Sequence, residues 1–193
     1  MVETERLIIR LADMEDVPEI VRYYRANWNH LQPFSPLFGA ELLDQSAWVE
    51  QVVSRVHEFT NGESFRAFVF PRRQPRLIIG NVNLTHVVRG AMQSCVLGYS
   101  LDEGRQGQGF MTEAVRATVQ FAFQTWRLHR VAAAYMPRNE RSAAVLERCG
   151  FHIEGRSPSY LQINGRWEDH VLTSIVNPDP GVSGRSDRPA GEA

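Results

Sequence analysis

Lysine is absent from this 193-residue chain: all 21 basic residues are arginine. Without an ε-amine there is no lysine Schiff base, no lysine nucleophile and no Walker-type phosphate loop. Cysteine is scarce. Cys95 and Cys149 lie far apart with no paired spacing, which argues against a disulfide framework or a zinc site. No metal is expected, and reduced thiols in a cytoplasmic protein are the simple expectation. No long apolar run occurs and the first residues are acidic, so neither a signal peptide nor a membrane span is expected. Net charge of one sign is missing as well. A formal charge of -1 provides no global basic field, and direct nucleic-acid binding is not expected.

What is present suits one soluble domain, with 43% hydrophobic and 22% charged residues. Hydrophobic periodicity and turn residues predict strands over 6–11, 64–70, 77–88, 92–101, 130–136, from 151 to 163, and over 167–176. Helices are predicted after Asp13 or Asp16, over 44–59, from Met111 to about Trp126, and from the N-cap Asn139 to Gly150. The stretch 27–38 carries Pro33 and Pro36 among Trp28, Leu31, Phe34 and Phe38. It reads as a non-helical segment that either packs over the core or lines a substrate groove. Gly98, inside a predicted strand, marks a bulge or a close approach of another backbone. Residues 1–176 are expected to form the single domain, and 177–193, rich in Pro, Gly, Ser, Asp and Arg, a disordered tail. The order of elements implies an α/β (α+β) fold, a mixed sheet with helices on its faces.

The densest signal is Gln106-Gly107-Gln108-Gly109-Phe110-Met111-Thr112-Glu113-Ala114, where a strand runs through a glycine turn into a helix. Helix N-termini present N–H groups without intrahelical partners at the positive end of the macrodipole, and glycine lets a ligand approach the main chain. Such a turn suits a phosphate or pyrophosphate, although a glycine-rich turn alone is also compatible with a tight turn that holds nothing.

With Pro137-Arg138-Asn139-Glu140-Arg141-Ser142 and Cys149-Gly150-Phe151 following in order, the chain resembles the GNAT superfamily of acetyl-CoA-dependent N-acetyltransferases over nearly all of residues 3–176. Val87-Val88-Arg89-Gly90, Leu97-Gly98-Tyr99-Ser100, Tyr135-Met136-Pro137 and Tyr160 through Asn164-Gly165 to Leu172 look most like the RimJ-type ribosomal-protein alanine N-acetyltransferases. The resemblance implies a mostly antiparallel central sheet of about seven strands, flanked by helices and splayed in the middle. It further implies that acetyl-CoA is the cosubstrate. The main chain of Gln106, Gly107, Gln108, Gly109, Phe110, Met111 and Thr112 would hold its pyrophosphate. Pantetheine would pair with backbone at Tyr99, Ser100 and Leu101, and Asn139 would bond its amide. In the family loop pattern the last small position is filled here by Met111, a form familiar in the ribosomal-protein branch.

The chemistry requires a neutral amine, a donor for the oxyanion and an acid for the leaving thiolate. A strand N–H freed by a bulge near Tyr99 to Leu101 is the economical oxyanion donor. Many superfamily members carry the acid as a tyrosine seven residues after the capping Asn. Leu146 stands there, so the resemblance shifts this role to Ser142. For the base, Glu103, Tyr160 and ordered water remain open, because Ser159 replaces the acidic residue of the branch. Asp169 and His170 point to opposite faces of a strand and cannot form a dyad, and Cys149 reads as a small core residue rather than a nucleophile. The implied acceptor is the N-terminal alanine of a small-subunit ribosomal protein. Alternatives are a small amine such as a polyamine or an antibiotic, or a non-catalytic acyl-CoA-binding ribosome assembly factor. No membrane partner is expected.

Overall fold

Phe65, Ala67 and Val69 are buried in one hydrophobic cluster while Phe68 and Phe70, between and beyond them, are buried in another. Alternation of this kind means that both faces of the strand are covered. In the computed structural model, which describes residues 1–179, this strand is one of eight in a single sheet. The strands are β1 (Val2–Glu3), β2 (Leu7–Arg10), β3 (Phe65–Pro71), β4 (Gly80–Val88), β5 (Ser94–Leu101), β6 (Arg130–Tyr135), β7 (His152–Ile163) and β8 (Arg166–Val176). Their spatial order is β1-β2-β3-β4-β5-β6-β8-β7. Every pairing is antiparallel except β5 with β6. The sheet has one strand more than expected from the sequence: β1 is two residues paired to Ile8 and Ile9, too short to show a period.

Helices α1 (Val17–Leu31) and α2 (Gln45–Thr60) bury Ile20, Tyr23, Trp48 and Val52 against Phe68, Phe70 and Ile78. On the opposite face α3 (Phe110–Gln124) and α4 (Glu140–Arg148) bury Met111, Val115, Ala122 and Leu146 against Phe65, Val69, Leu97 and Val131. The turn Met14–Asp16 leading into α1 is closed by a capping box. The Asp13 carboxylate accepts from the Glu15 and Asp16 N–H groups, and the Asp16 carboxylate accepts from the Asp13 N–H. Asp16 also takes both Arg10 guanidinium nitrogens, with Nη2 at 2.9 Å from Oδ1. Burial alone pushes the Asp16 carboxyl up, but the Arg10 and Asp13 hydrogen bonds and the Arg10 charge outweigh it and hold it below the usual range.

Two expectations are corrected here. The segment 27–38 is helical as far as Leu31, because a proline disturbs only the residues just before it and Pro33 lies past the helix end, in the 3-10 turn Gln32–Phe34. Gly98 is not a bulge: it pairs in register with Asn83, and the irregularity of the β4–β5 ladder lies between Thr85 and Val88. The tail expected over 177–193 lies outside the described residues from 180 onward. Asn177 is tied to Leu128 and His129 carbonyls.

The feature that positions the site is where β5 and β6 part. Their parallel pairing ends at Leu97 with Ala133, yet β5 continues to Leu101 and β6 to Tyr135. The Asp102 N–H donates to the Ile79 carbonyl at 2.8 Å. By antiparallel alternation Ser100 and Gly98 spend their backbone groups on β4, which leaves the N–H and C=O of Tyr99 and Leu101 facing the opening.

Candidate active site

Directly after β5, Asp102 caps the 3-10 turn Glu103–Arg105 by accepting from the Gly104 N–H. The chain then reaches Gly107 and Gly109, at φ 72° and 77°. Both are left-handed conformations that side-chain-bearing residues resist. Gly109 is the N-cap of α3, with no side-chain cap of its own. Arg6 braces this loop and also lines the cavity beside it. Its guanidinium donates to the Gln108 carbonyl at 3.0 Å and to Glu113 Oε2 at 2.6 Å, and lies 4.6 Å from the Phe110 ring centre. Thr4 Oγ1 and the Arg6 N–H donate to the other Glu113 oxygen. Burial raises the Glu113 carboxyl, but these bonds prevail and keep it below the ordinary carboxylate range. With its own anion already saturated, the loop keeps the unpartnered N–H groups of the first turn of α3 for a ligand.

A cavity of about 1200 Å³ runs from this loop through the parted strands. On the α3 and α4 side it is lined by Arg116, Gln120, Asn139, Ser142 and Arg148, and on the α1 side by His30, Leu31, Phe34 and Ser35. Tyr99 and Ser100 stand at the passage between the two. Tyr99 turns toward α4, where its hydroxyl lies 2.8 Å from Ser142 Oγ and 3.1 Å from the Ser142 carbonyl. Burial pushes the Tyr99 phenol well above its ordinary value, so it remains a neutral donor. Asn139 caps α4, its Oδ1 accepting from the Ser142 N–H at 3.2 Å. Ser100 turns toward α1, where Tyr23 and Asn81 meet its hydroxyl.

Along α1 the polar residues Tyr23, Asn27 and His30 recur at helical spacing and face successive parts of the same segment. Tyr23 meets Ser100 at 2.9 Å. Asn27 donates to Asp102 Oδ2 and accepts from the Glu103 N–H. His30 Nε2 lies 2.8 Å from Gln106 Nε2. One helix edge thus ties the end of β5 to the start of the glycine loop.

Of the residues singled out in the sequence, Tyr99, Ser100, Leu101, Gln106, Gly107, Gly109, Phe110, Met111, Thr112, Asn139 and Ser142 line this one cavity. Gln108 contributes to the loop's internal bonds instead, its side chain donating to the Gly104 carbonyl. Glu103 and Tyr160 stand outside the lining. The Glu103 side chain is exposed, and Tyr160, on β7, packs against the buried His170 ring at 5.6 Å. Asp169 is exposed and accepts from the Ser159 N–H, on the other face from His170. Cys149 donates to the Thr112 carbonyl, and burial moves its thiol up to about 11. The N–H groups at Tyr99 and Leu101 are freed by the parting of the strands, not by a bulge. Sequence reasoning missed Arg6, Tyr23, Asn27 and His30. Only the three-and-four spacing of the last three hinted at a common polar edge.

The model of the "Acetyltransferase (GNAT) domain" family matches residues 6–152. The chain is 39% identical over 178 residues to the [ribosomal protein uS5]-alanine N-acetyltransferase of Escherichia coli (strain K12), covering 91% of this chain and 90% of that protein. The crystal structure of the ribosomal-protein-S5-alanine acetyltransferase from Vibrio fischeri superposes with a TM-score of 0.87 at 37% identity, covering 92% of this chain and 96% of that one. Mycobacterium smegmatis RimJ, solved in complex with CoA-disulfide, superposes with a TM-score of 0.82 at 28% identity, covering 88% and 81%. The parted sheet, the glycine loop opening α3 and these relationships together establish that the chain belongs to the GNAT family and is an acetyl-CoA-dependent N-acetyltransferase.

Proposed function

We propose that this protein acetylates the N-terminal alanine α-amino group of a small-subunit ribosomal protein, with uS5 as the first candidate, in the cytoplasm. The observation that carries this reading is the through-sheet cavity. It has a pyrophosphate-type loop at one end and a pocket formed by Leu31, Phe34 and Ser35 at the other, in a chain 39% identical to an enzyme named for that substrate. In this reading the loop from Gln106 to Thr112 holds the pyrophosphate of acetyl-CoA. The free backbone groups of Tyr99 and Leu101 pair with its pantetheine arm, as a third strand would, and the Asn139 amide reaches the same arm. Acetyl-CoA supplies the activated acyl group.

The acceptor enters from the α1 side. An α-amino group has a pKa of about 7.7–8.0, so near neutrality a usable fraction is already uncharged and the proton released on attack must be taken up. Glu103 and Tyr160 lie outside the cavity lining; in this reading ordered water carries that proton outward. Ser142, oriented by the neutral Tyr99 phenol, donates to the departing thiolate.

The test is turnover of peptides beginning with alanine, followed by thiol release and by the mass of the product. No turnover of any such peptide, with acetyl-CoA still bound, refutes the acceptor assignment. Preferential turnover of a polyamine or an aminoglycoside transfers the same chemistry to a small amine. Binding to ribosomal particles without turnover of any amine favours an assembly role.

A further inference from the structure

The arrangement around Ser100 leaves its hydroxyl hydrogen only one direction in which to be used. A serine hydroxyl has two acceptor sites and one hydrogen. Tyr23 is fully buried, and the Ser100 Oγ at 2.9 Å is the one polar atom its hydroxyl meets among the described residues. Burial also raises the Tyr23 phenol far above its ordinary value, so it keeps its proton. A buried phenol hydrogen without an acceptor is costly, so Tyr23 donates to Ser100. Asn81 donates to the same oxygen through Nδ2 at 2.6 Å, while its Oδ1 accepts from Asn83 Nδ2 at 3.0 Å. Both acceptor sites of Ser100 are therefore filled by protein donors. Its own hydrogen has no protein acceptor among the described residues, and Ser100 lines the cavity at the point where β5 leaves β6.

We infer that the Ser100 hydroxyl is a catalytic hydrogen-bond donor to the thioester carbonyl oxygen, acting beside the main-chain N–H groups of β5. Tyr23 and Asn81 are the positioning residues that aim and polarise it. This inference rests on the acyl-transfer reading of the cavity given above. A thioester seated against the free backbone of Tyr99 and Leu101 would lie at the open edge of β5, next to the α1 face on which the Ser100 side chain stands. When the neutral amine attacks the carbonyl carbon, the C–N bond forms and the carbonyl π pair moves onto oxygen. That oxyanion accepts the Ser100 O–H hydrogen bond without proton transfer. As the C=O bond reforms, the C–S bond breaks, the thiolate takes a proton, and the ammonium proton leaves to water. Donation from two other groups makes a hydroxyl a better donor, so the hydrogen bond strengthens as charge builds on the acyl oxygen.

The experiment compares the parent enzyme with Ser100→Ala, Ser100→Thr and Tyr23→Phe. It measures kcat and KM with an alanine-initiated peptide, the Kd for acetyl-CoA, and the rate of acetyl-CoA hydrolysis with water as the only acceptor. Removing one oxyanion donor is expected to lower kcat on the order of 10²-fold. The Ser100→Ala enzyme should show this loss in both transfer and hydrolysis, with the acetyl-CoA Kd unchanged. Ser100→Thr, which keeps the hydroxyl, should recover most of it, and Tyr23→Phe should fall between. Parent-level kcat in Ser100→Ala overturns the inference. So does a loss of acetyl-CoA affinity that accounts for the whole loss in rate, because Ser100 would then be a wall of the cavity. A parent enzyme inert toward alanine peptides overturns the acceptor assignment instead, and the hydrolysis rates still decide the role of Ser100.

Discussion

Gly109→Ala is the substitution that most directly tests the reading of the glycine loop. The residue holds φ 77°, and an added Cβ would meet only the Arg6 Nη2 atom, at an ordinary contact distance of 3.5 Å. The steric penalty from neighbours is therefore small, and the strain is that of a left-handed L-residue, about 1–2 kcal/mol. Alanine also restricts the unfolded chain, which returns about 0.4–1 kcal/mol. The net loss is about 1 kcal/mol, and at about 2–4 °C per kcal/mol for a chain of this size the Tm should fall by roughly 3 °C. Gly107→Ala, at φ 72° with nothing within 4 Å of its Cβ, should lose a similar amount. Gly98→Ala has neither positive φ nor a neighbour within 4 Å and should lose nothing, which makes it the control. The acetyl-CoA affinity of the first two should fall well beyond what that small loss of stability explains, because, if this loop seats the pyrophosphate, a methyl beside its main chain hinders the close approach of a phosphate oxygen. Thermal scans and acetyl-CoA titrations on the three variants decide it. Parent-level affinity in Gly109→Ala and Gly107→Ala would refute the assignment of this loop to the pyrophosphate.

Further outcomes follow from the ion pairs and from the placement of the candidate acid and base. Asp16→Asn breaks the pair with Arg10 and should cost about 3 kcal/mol, because it removes the buried carboxylate and leaves the partly buried guanidinium only Asp13, at 3.7 Å. Urea denaturation checks this, and a loss no larger than that of an exposed substitution contradicts it. The Asp16 and Glu113 carboxyls are held below their ordinary values in the folded state. Their contribution to stability is therefore complete above about pH 4–5, where the unfolded carboxyls ionise, and disappears as pH falls through the folded values. Denaturation midpoints measured from pH 7 down to 3 should drop in the acid limb, and Asp16→Asn should flatten part of that slope. Ser142→Ala should lower kcat by roughly 10²-fold, at the lower end of what general acids supply, while the acetyl-CoA Kd changes little. An unchanged kcat removes Ser142 from the chemistry. Glu103→Gln should leave kcat at the parent value, because that side chain is exposed and off the cavity. A large loss there restores Glu103 as the base.

What the sequence disclosed and what it concealed divide along a physical line. The glycine loop was legible because its cause is local: left-handed φ demands glycine, and the helical period of Met111, Val115, Thr118, Val119 and Ala122 begins directly behind it. The helix-capping Asn139 was legible for the same reason. The end of α1 is hidden by Pro33 and Pro36, which suggest a non-helical segment from residue 27 although a proline disfavours helix only at the residue just before it. The parting of β5 from β6 leaves no local trace, since it depends on where two strands 36 positions apart stop sharing hydrogen bonds, at Leu97 and Ala133. Arg6 and Glu113 are separated by 107 residues, and Tyr23 and Ser100 by 77. Neither carries a signature by itself, because a buried tyrosine on an amphipathic helix and a serine on a strand are ordinary occupants of those positions. Their meaning arises only from counting donors against acceptors once the fold has joined them. That count leaves the Ser100 hydroxyl hydrogen without a protein acceptor among the described residues, at the lining of the cavity. The glycine loop is visible in the local sequence, whereas the meeting of Tyr23, Asn81 and Ser100 emerges only from long-range pairing.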